Sequence, residues 1–266
     1  MSFAFAPSRL SCPQVLTVVF LSLSALGSNA AWALPTYSPG NVSALTNDSV
    51  EALLKTIALG ADHRAYMPAS PLGMIIGLDV GLDVTGINVS DEFRQAMSAA
   101  GVSSSIPAFI PIPKLNVTKG LPLGIDLGMT FVGYQHNRIL GAQIQWAFLN
   151  GAGMAPAAAV RLSQSYVDLF FMKTRVTKLD VLASRRFVYF FEPYVGAGLQ
   201  VGSGSLDVPV SGPNGLKADV SGNTSFTAIH AFGGMKFNLS FLKLVTEVDR
   251  SFVGLTTFGG KFSFGF

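Results

Sequence analysis

From Leu72 onward, apolar residues recur at every second position. Met74, Ile76, Leu78, Val80, Leu82 and Val84 alternate with Gly73, Ile75, Gly77, Asp79, Gly81, Asp83 and Thr85. Successive side chains of a β-strand point to opposite faces, so a period of two predicts a strand with one aliphatic face and one small or acidic face. The alternation returns over 123–131, 140–148, 187–201 and 242–249. It is less clean over 156–167, 170–183 and 224–238, with a change of phase near Lys178 that predicts a bulge. Strands are expected to start near 72, 121, 138, 156, 170, 187, 224, 240 and 254. Bacterial barrels that span a membrane have an even number of strands. A tenth is therefore placed at about 106–118, where prolines interrupt the pattern, and the long connections 88–105 and 203–223 then fall on the outer side. Eight or twelve strands would also satisfy parity. The expected fold is all-β, a transmembrane antiparallel up-and-down β-barrel of about ten strands over 71–266, with the aliphatic face on lipid and the small or ionic face inward.

Residues 34–70 read differently. Asn47 or Asp48 can cap a helix through Ser49–Leu59 that Gly60 stops, and Leu53, Leu54, Ile57 and Ala58 give it one apolar face. Such a face must dock on something. The glycines expected to point inward, among them Gly141, Gly196, Gly198 and Gly259, mark either curvature of the wall or close approach of another body. If that body is the helical leader, it forms a plug on the periplasmic side. A second short helix is expected in 88–105, capped by Ser90, with Phe93, Met97 and Ala100 as its apolar stripe. It resembles the hydrophobic outer loops of fatty-acid channels in physical character only.

Composition narrows the choices. The chain has 266 residues, 49% hydrophobic and only 12% charged, about half the charge of an ordinary soluble domain. Beyond residue 34 no uninterrupted apolar run reaches the roughly 18 residues that a spanning helix needs, so a closed barrel is the remaining way to cross a bilayer. The first 33 residues have the form of a cleaved export signal: Arg9, an apolar run Val15–Leu26, and Ala31-Trp32-Ala33 before the cut. Cys12 is the single cysteine and leaves with that signal, which excludes disulfides and thiolate chemistry. Loss of Arg9 leaves 17 basic against 15 acidic side chains, a balance with no nucleic-acid footprint.

The last strand is the most specific feature. Phe258, Gly260, Phe262, Phe264 and Phe266 alternate with Gly259, Lys261, Ser263 and Gly265. This resembles the closing strand of Gram-negative outer-membrane barrels, and Thr257-x-Gly259-x-x-Phe262-x-Phe264 fits their insertion signal, with Thr where a basic residue is common. The resemblance implies that the barrel-assembly machinery reads Gly259, Phe262, Phe264 and Phe266. It also implies contact with outer-membrane lipid and lipopolysaccharide; it names no functional family and no oligomeric state.

Candidate lumen-lining residues are Asp79, Asp83, Asp126, Arg161, Lys173, Arg175, Glu192, His230, Lys243, Glu247 and Lys261. Asp79 and Asp126 each stand in a G-x-D-x-G repeat, open to two readings: a hard-cation site, or ion-pair packing of a small bore. No metal site, cofactor or catalytic residue is assigned. Neither G-x-S-x-G nor H-E-x-x-H occurs. An outer-membrane protease or lipid hydrolase would have to gather its residues from different strands, with His136 and His230 as the histidines to test. The interior of a ten-stranded barrel is largely filled by side chains. The expected function is therefore narrow passive transport or binding of a small or hydrophobic solute. The alternative is a structural or surface-interaction barrel that uses the loop at 203–223.

Overall fold

A computed structural model describes residues 47–266 apart from 74–76, 90, 92, 96–108, 135–136, 152, 170–171, 189, 212–216 and 266. The export signal, His136 and Phe266 therefore lie outside the described residues, as do Met97 and Ala100 of the loop stripe. Helix α1 is Asn47–Gly60. The strands are β1 Leu78–Asn88, β2 Phe109–Leu121, β3 Ile125–Tyr134, β4 Asn137–Asn150, β5 Pro156–Leu169, β6 Met172–Arg185, β7 Phe191–Ser211, β8 Lys217–Leu239, β9 Leu242–Ser251 and β10 Thr256–Gly265. Each pairs antiparallel with its neighbours in sequence, and β1 pairs with β10 to close a ten-stranded barrel. Asp79 faces Gly265 across that seam, so both ends of the barrel chain meet at one rim. That rim is the terminal end, and the opposite rim the distal end.

The alternation seen in the sequence becomes the two faces of the wall. One transverse row, Ile144–Leu162–Leu179–Leu199, crosses β4 to β7 with all four side chains outward and exposed. Aromatic residues mark both margins of this apolar belt. Trp146, Phe148, Phe187, Phe190, Phe241 and Phe264 lie toward the terminal end, and Phe109, Phe131, Phe252 and Phe258 toward the distal end. An apolar outer band between two aromatic girdles on a closed wall is the form of a transmembrane barrel. Exchange of Val181, outward and 58% exposed in the row next to Leu179, for Arg is expected to cost about 2–4 kcal/mol. Folding equilibria of Val181→Arg in lipid vesicles measure this, and an unchanged equilibrium would mean that Val181 does not face lipid.

The wall corrects several expectations. Strand β6 alternates without interruption from Met172 to Arg185, so there is no bulge at Lys178; the register shift sits in β4 between Ala147 and Leu149. Strands β1 and β7 begin at Leu78 and Phe191, later than their alternation starts. The expected loop at 203–223 is mostly strand, since β7 and β8 stay paired out to Ser211 and Lys217. Pairing with β6 stops at Leu206, and pairing with β9 stops at His230. The two strands therefore continue past their neighbours as a two-stranded ribbon at the distal end. Pro209 is tolerated there because its missing N–H is needed in no ladder on the β6 side.

Candidate functional site

The bore is occupied by the chain's own leader. Leu53 and Leu54 of α1 are fully buried at the distal end, with Val50 and Ile57 beside them, against Ile139, Val167, Met172 and Leu206 from the wall and Phe93 from the β1–β2 connection. Asp91 and Phe93–Gln95 of that connection are helical, so Phe93 of the expected loop stripe is spent on covering α1. The helix lies near the distal rim, where a Cβ at Gly222 would meet Val50 and one at Gly204 would meet Leu54. From Gly60 the chain runs back through the bore as an extended strap, and every residue from Ala61 to Ser70 is buried.

The strap is held by charge and hydrogen bonds all along its length. Asp62 receives Lys178 Nζ at 2.7 Å on Oδ2, and its carbonyl receives Lys114 Nζ at 2.7 Å. Lys178 also donates to the His63 carbonyl at 2.7 Å. Arg64 reaches Asp249 at 3.0 Å and Asp62 at 3.1 Å. Arg161 donates to the Met67 carbonyl at 2.9 Å, Gln145 to the Pro68 carbonyl at 3.0 Å, and Lys261 to the Ala65 carbonyl at 3.3 Å. At the terminal end, the Leu72 N–H donates to Asp126 Oδ1 at 3.1 Å. Buried charges are stable only when partnered in this way. Tyr66 turns the strap with a φ of +47°, a region that bulky residues avoid, and its hydroxyl shares a 2.6 Å hydrogen bond with Thr85.

His63 is the most fully coordinated group of the strap. Its Nε2 lies 2.9 Å from Gln143 Oε1 and its Nδ1 2.9 Å from Thr130 Oγ1. The Gln143 amide nitrogen is turned to Met67 Sδ, so Oε1 accepts, the ring proton sits on Nε2, and Nδ1 accepts from the Thr130 hydroxyl. Gly141 explains how the ring fits, because a Cβ there would stand 2.5 Å from both His63 Cβ and Thr130 Oγ1. Close approach thus accounts for Gly141, and Gly259 is likewise filled over by the Tyr66 hydroxyl.

Around the strap the wall forms its own pairs. Asp79 takes Lys261 at 3.0 Å and Lys243 at 3.2 Å; Asp83 faces Lys114 at 3.7 Å and Asn116 at 3.3 Å. His230 bridges Asp180 and Asp249, each at 2.9 Å. Glu247 accepts from the Tyr194 hydroxyl at 2.7 Å, and Glu192 from Ser184 at 2.8 Å. Asp79, Asp83 and Asp126 thus have separate partners and do not converge on one point. Arg161, Glu192, His230, Lys243, Glu247 and Lys261 all face inward with them. Lys173 and Arg175 do not. Both are exposed on the outer face of β6, because the unbroken alternation puts Met172, Thr174, Lys178 and Asp180 inward instead. Beside the strap the bore holds cavities of about 10 Å³, each with room for about one water. One lies at Asp79, Lys236 and Lys261, another at His230, Asp249 and Arg64.

No protein-family model and no curated protein matches the chain. Solved structures do. The N-terminal β-barrel domain of Pseudomonas aeruginosa OprF aligns over 71% of this chain and 97% of its own, at 13% identity and a TM-score of 0.35. Ail, the attachment invasion locus protein of Yersinia pestis, aligns over 71% and 94%, at 10% identity and 0.35. Neisserial surface protein A aligns over 71% and 97%, at 9% identity and 0.29. The closed ten-stranded barrel is read from the strand pairing of this chain itself.

Proposed function

We propose that this protein is an exported outer-membrane barrel, sealed at rest by its own leader, whose role lies in its distal surface and not in open conduction. The carrying observation is the strap from Ala61 to Ser70, buried throughout and tied to the wall by Lys114, Lys178, Arg161 and Lys261. The cavities beside the strap at Asp79 and at His230 hold about one water each, which supports a bore without passage for a solute. The longer connections of such barrels face outward, which assigns the distal end, with its β7–β8 ribbon, to the cell surface. Toward the ribbon the outer face of β7 and β8 changes from Val201 and Ile229 to Ser203, Ser205, Asn223, Ser225 and Thr227, polar positions suited to water.

The test is electrical. Purified chain beginning at Leu34, inserted in planar bilayers, is expected to be silent at moderate voltage. Steady ohmic conductance, or solute-dependent current, would overturn the sealed barrel and return the choice to narrow passive transport.

A further inference from the structure

The two residues that face away from the bore, Lys173 and Arg175, have a place of their own on the wall. The transverse rows of β4 to β7 change character toward the distal end. Row by row, Ile144–Leu162–Leu179–Leu199 is followed by Ala142–Gln164–Thr177–Val201, then Leu140–Tyr166–Arg175–Ser203, then Arg138–Asp168–Lys173–Ser205. The apolar belt gives way to cations within three rows. A lipid's phosphate lies just beyond its acyl region, so these rows stand at headgroup height if Leu162 and Leu179 stand in hydrocarbon.

The three cations there carry more charge than the protein balances, since Asp168 is the one carboxylate in contact with them among the described residues. Arg138 is 56% exposed; it touches Asp168 at 3.4 Å, and its guanidinium carbon lies 5.5 Å from the centre of the Tyr166 ring. Among the described residues, Arg175 meets the Gln164 amide alone, whose oxygen accepts at 3.0 and 3.2 Å when the amide is turned toward the guanidinium. Lys173 has no acidic partner among the described residues, although Asp168 stands across from it in the ladder. Asp207, next outward on β7 and exposed, lies past the last β6 pair. Elsewhere the margins differ. Arg185 donates to the Met154 carbonyl and lies over Phe187, Arg186 pairs with Glu192, and Arg250 donates to Thr256. Among the described residues, three cations facing one carboxylate thus gather in this sector of the lipid-facing margin.

We propose that Arg138, Lys173 and Arg175 form a seat for the phosphomonoester of an anionic lipid headgroup in the distal leaflet. Guanidinium groups grip phosphate through paired N–H donors, the ammonium adds a point charge, and Tyr166 at the water interface holds Arg138 over the belt. The seat uses the membrane placement of the wall and does not depend on the sealed bore.

Native mass spectrometry of the full chain, released from micelles doped with phosphatidic acid or with phosphatidylcholine, reads the retained lipid. Each charge near a membrane surface changes affinity by about 5-fold, so Arg138→Gln, Lys173→Gln and Arg175→Gln together are expected to weaken phosphatidic acid binding on the order of 100-fold. Phosphatidylcholine binding should stay as it was, and so should phosphatidic acid binding to the Arg185→Gln, Arg186→Gln control. If the triple variant does not fold, Lys173→Gln alone reads the same effect at about 5-fold. Wild-type affinity in the triple variant overturns the seat. So does an equal loss in the control, which would reduce the effect to net charge. Inorganic phosphate binding as tightly as the lipid would mean a soluble-anion site and would also overturn it.

Discussion

Removing the leader should convert a silent barrel into a conducting one. A chain that lacks residues 34–70 keeps all ten strands and their closing seam, and its ladder hydrogen bonds do not pass through the strap. Lys114, Lys178, Arg161 and Asp126 lose their partners in the leader. They do so facing a bore that water can now enter, so they are resolvated instead of being stranded in a dry core. Stepwise channel openings are expected where the full chain shows none. If the shortened barrel migrates as a folded, heat-modifiable species and still passes no current, the wall alone closes the bore and the strap is not the seal.

The second large effect concerns one ammonium. Lys178 serves both the Asp62 carboxylate and the His63 carbonyl, with a side chain only 5% exposed. Lys178→Met has nearly the same length, but it leaves Asp62 with Arg64 alone and the carbonyl without its donor. Breaking a buried pair by removing one partner costs about 3–5 kcal/mol. Equilibrium unfolding in detergent should register that loss, and Asp62→Asn in the Lys178→Met background should recover part of it, because it removes the uncompensated charge. A loss below about 1 kcal/mol, or a double variant no better than the single, would mean that the strap is held by shape and not by charge.

Some of this was legible in the sequence and some was not, for physical reasons. β4 could be read directly, because Leu140, Ala142, Ile144, Trp146 and Phe148 alternate without exception with small or polar residues. β2 could be inferred only from parity, since Pro111 and Pro113 interrupt it. Those prolines are accommodated because β3 pairs with β2 only from Leu115 onward, so the proline stretch forms a local edge. Pro209 and its glycine-rich surroundings misled for the same reason: a loop and an overhanging two-stranded ribbon have the same local composition. Lys173 and Arg175 are expected inward as partners for the acidic lining, but the unbroken register of β6 turns them outward, since one residue of phase exchanges the faces. The helix of the leader was visible from its cap and apolar face. Its position near the distal rim was not, since that depends on where the strap after Gly60 meets Thr130, Gln143 and Ser165, contacts that link residues 67 to 102 positions apart.

The strap also imposes an order of events on assembly. It is moored near Leu72 at one mouth of a cylinder and widens into a helix near the other, and a helix with its side chains is about 10 Å across. Such a knot of greasy residues cannot be drawn afterwards through a passage whose walls already interlock with the thread. The hoop must therefore be laid around the thread while it is still open, and its two edges, Asp79–Ile87 and Thr257–Gly265, are the last to be buttoned together.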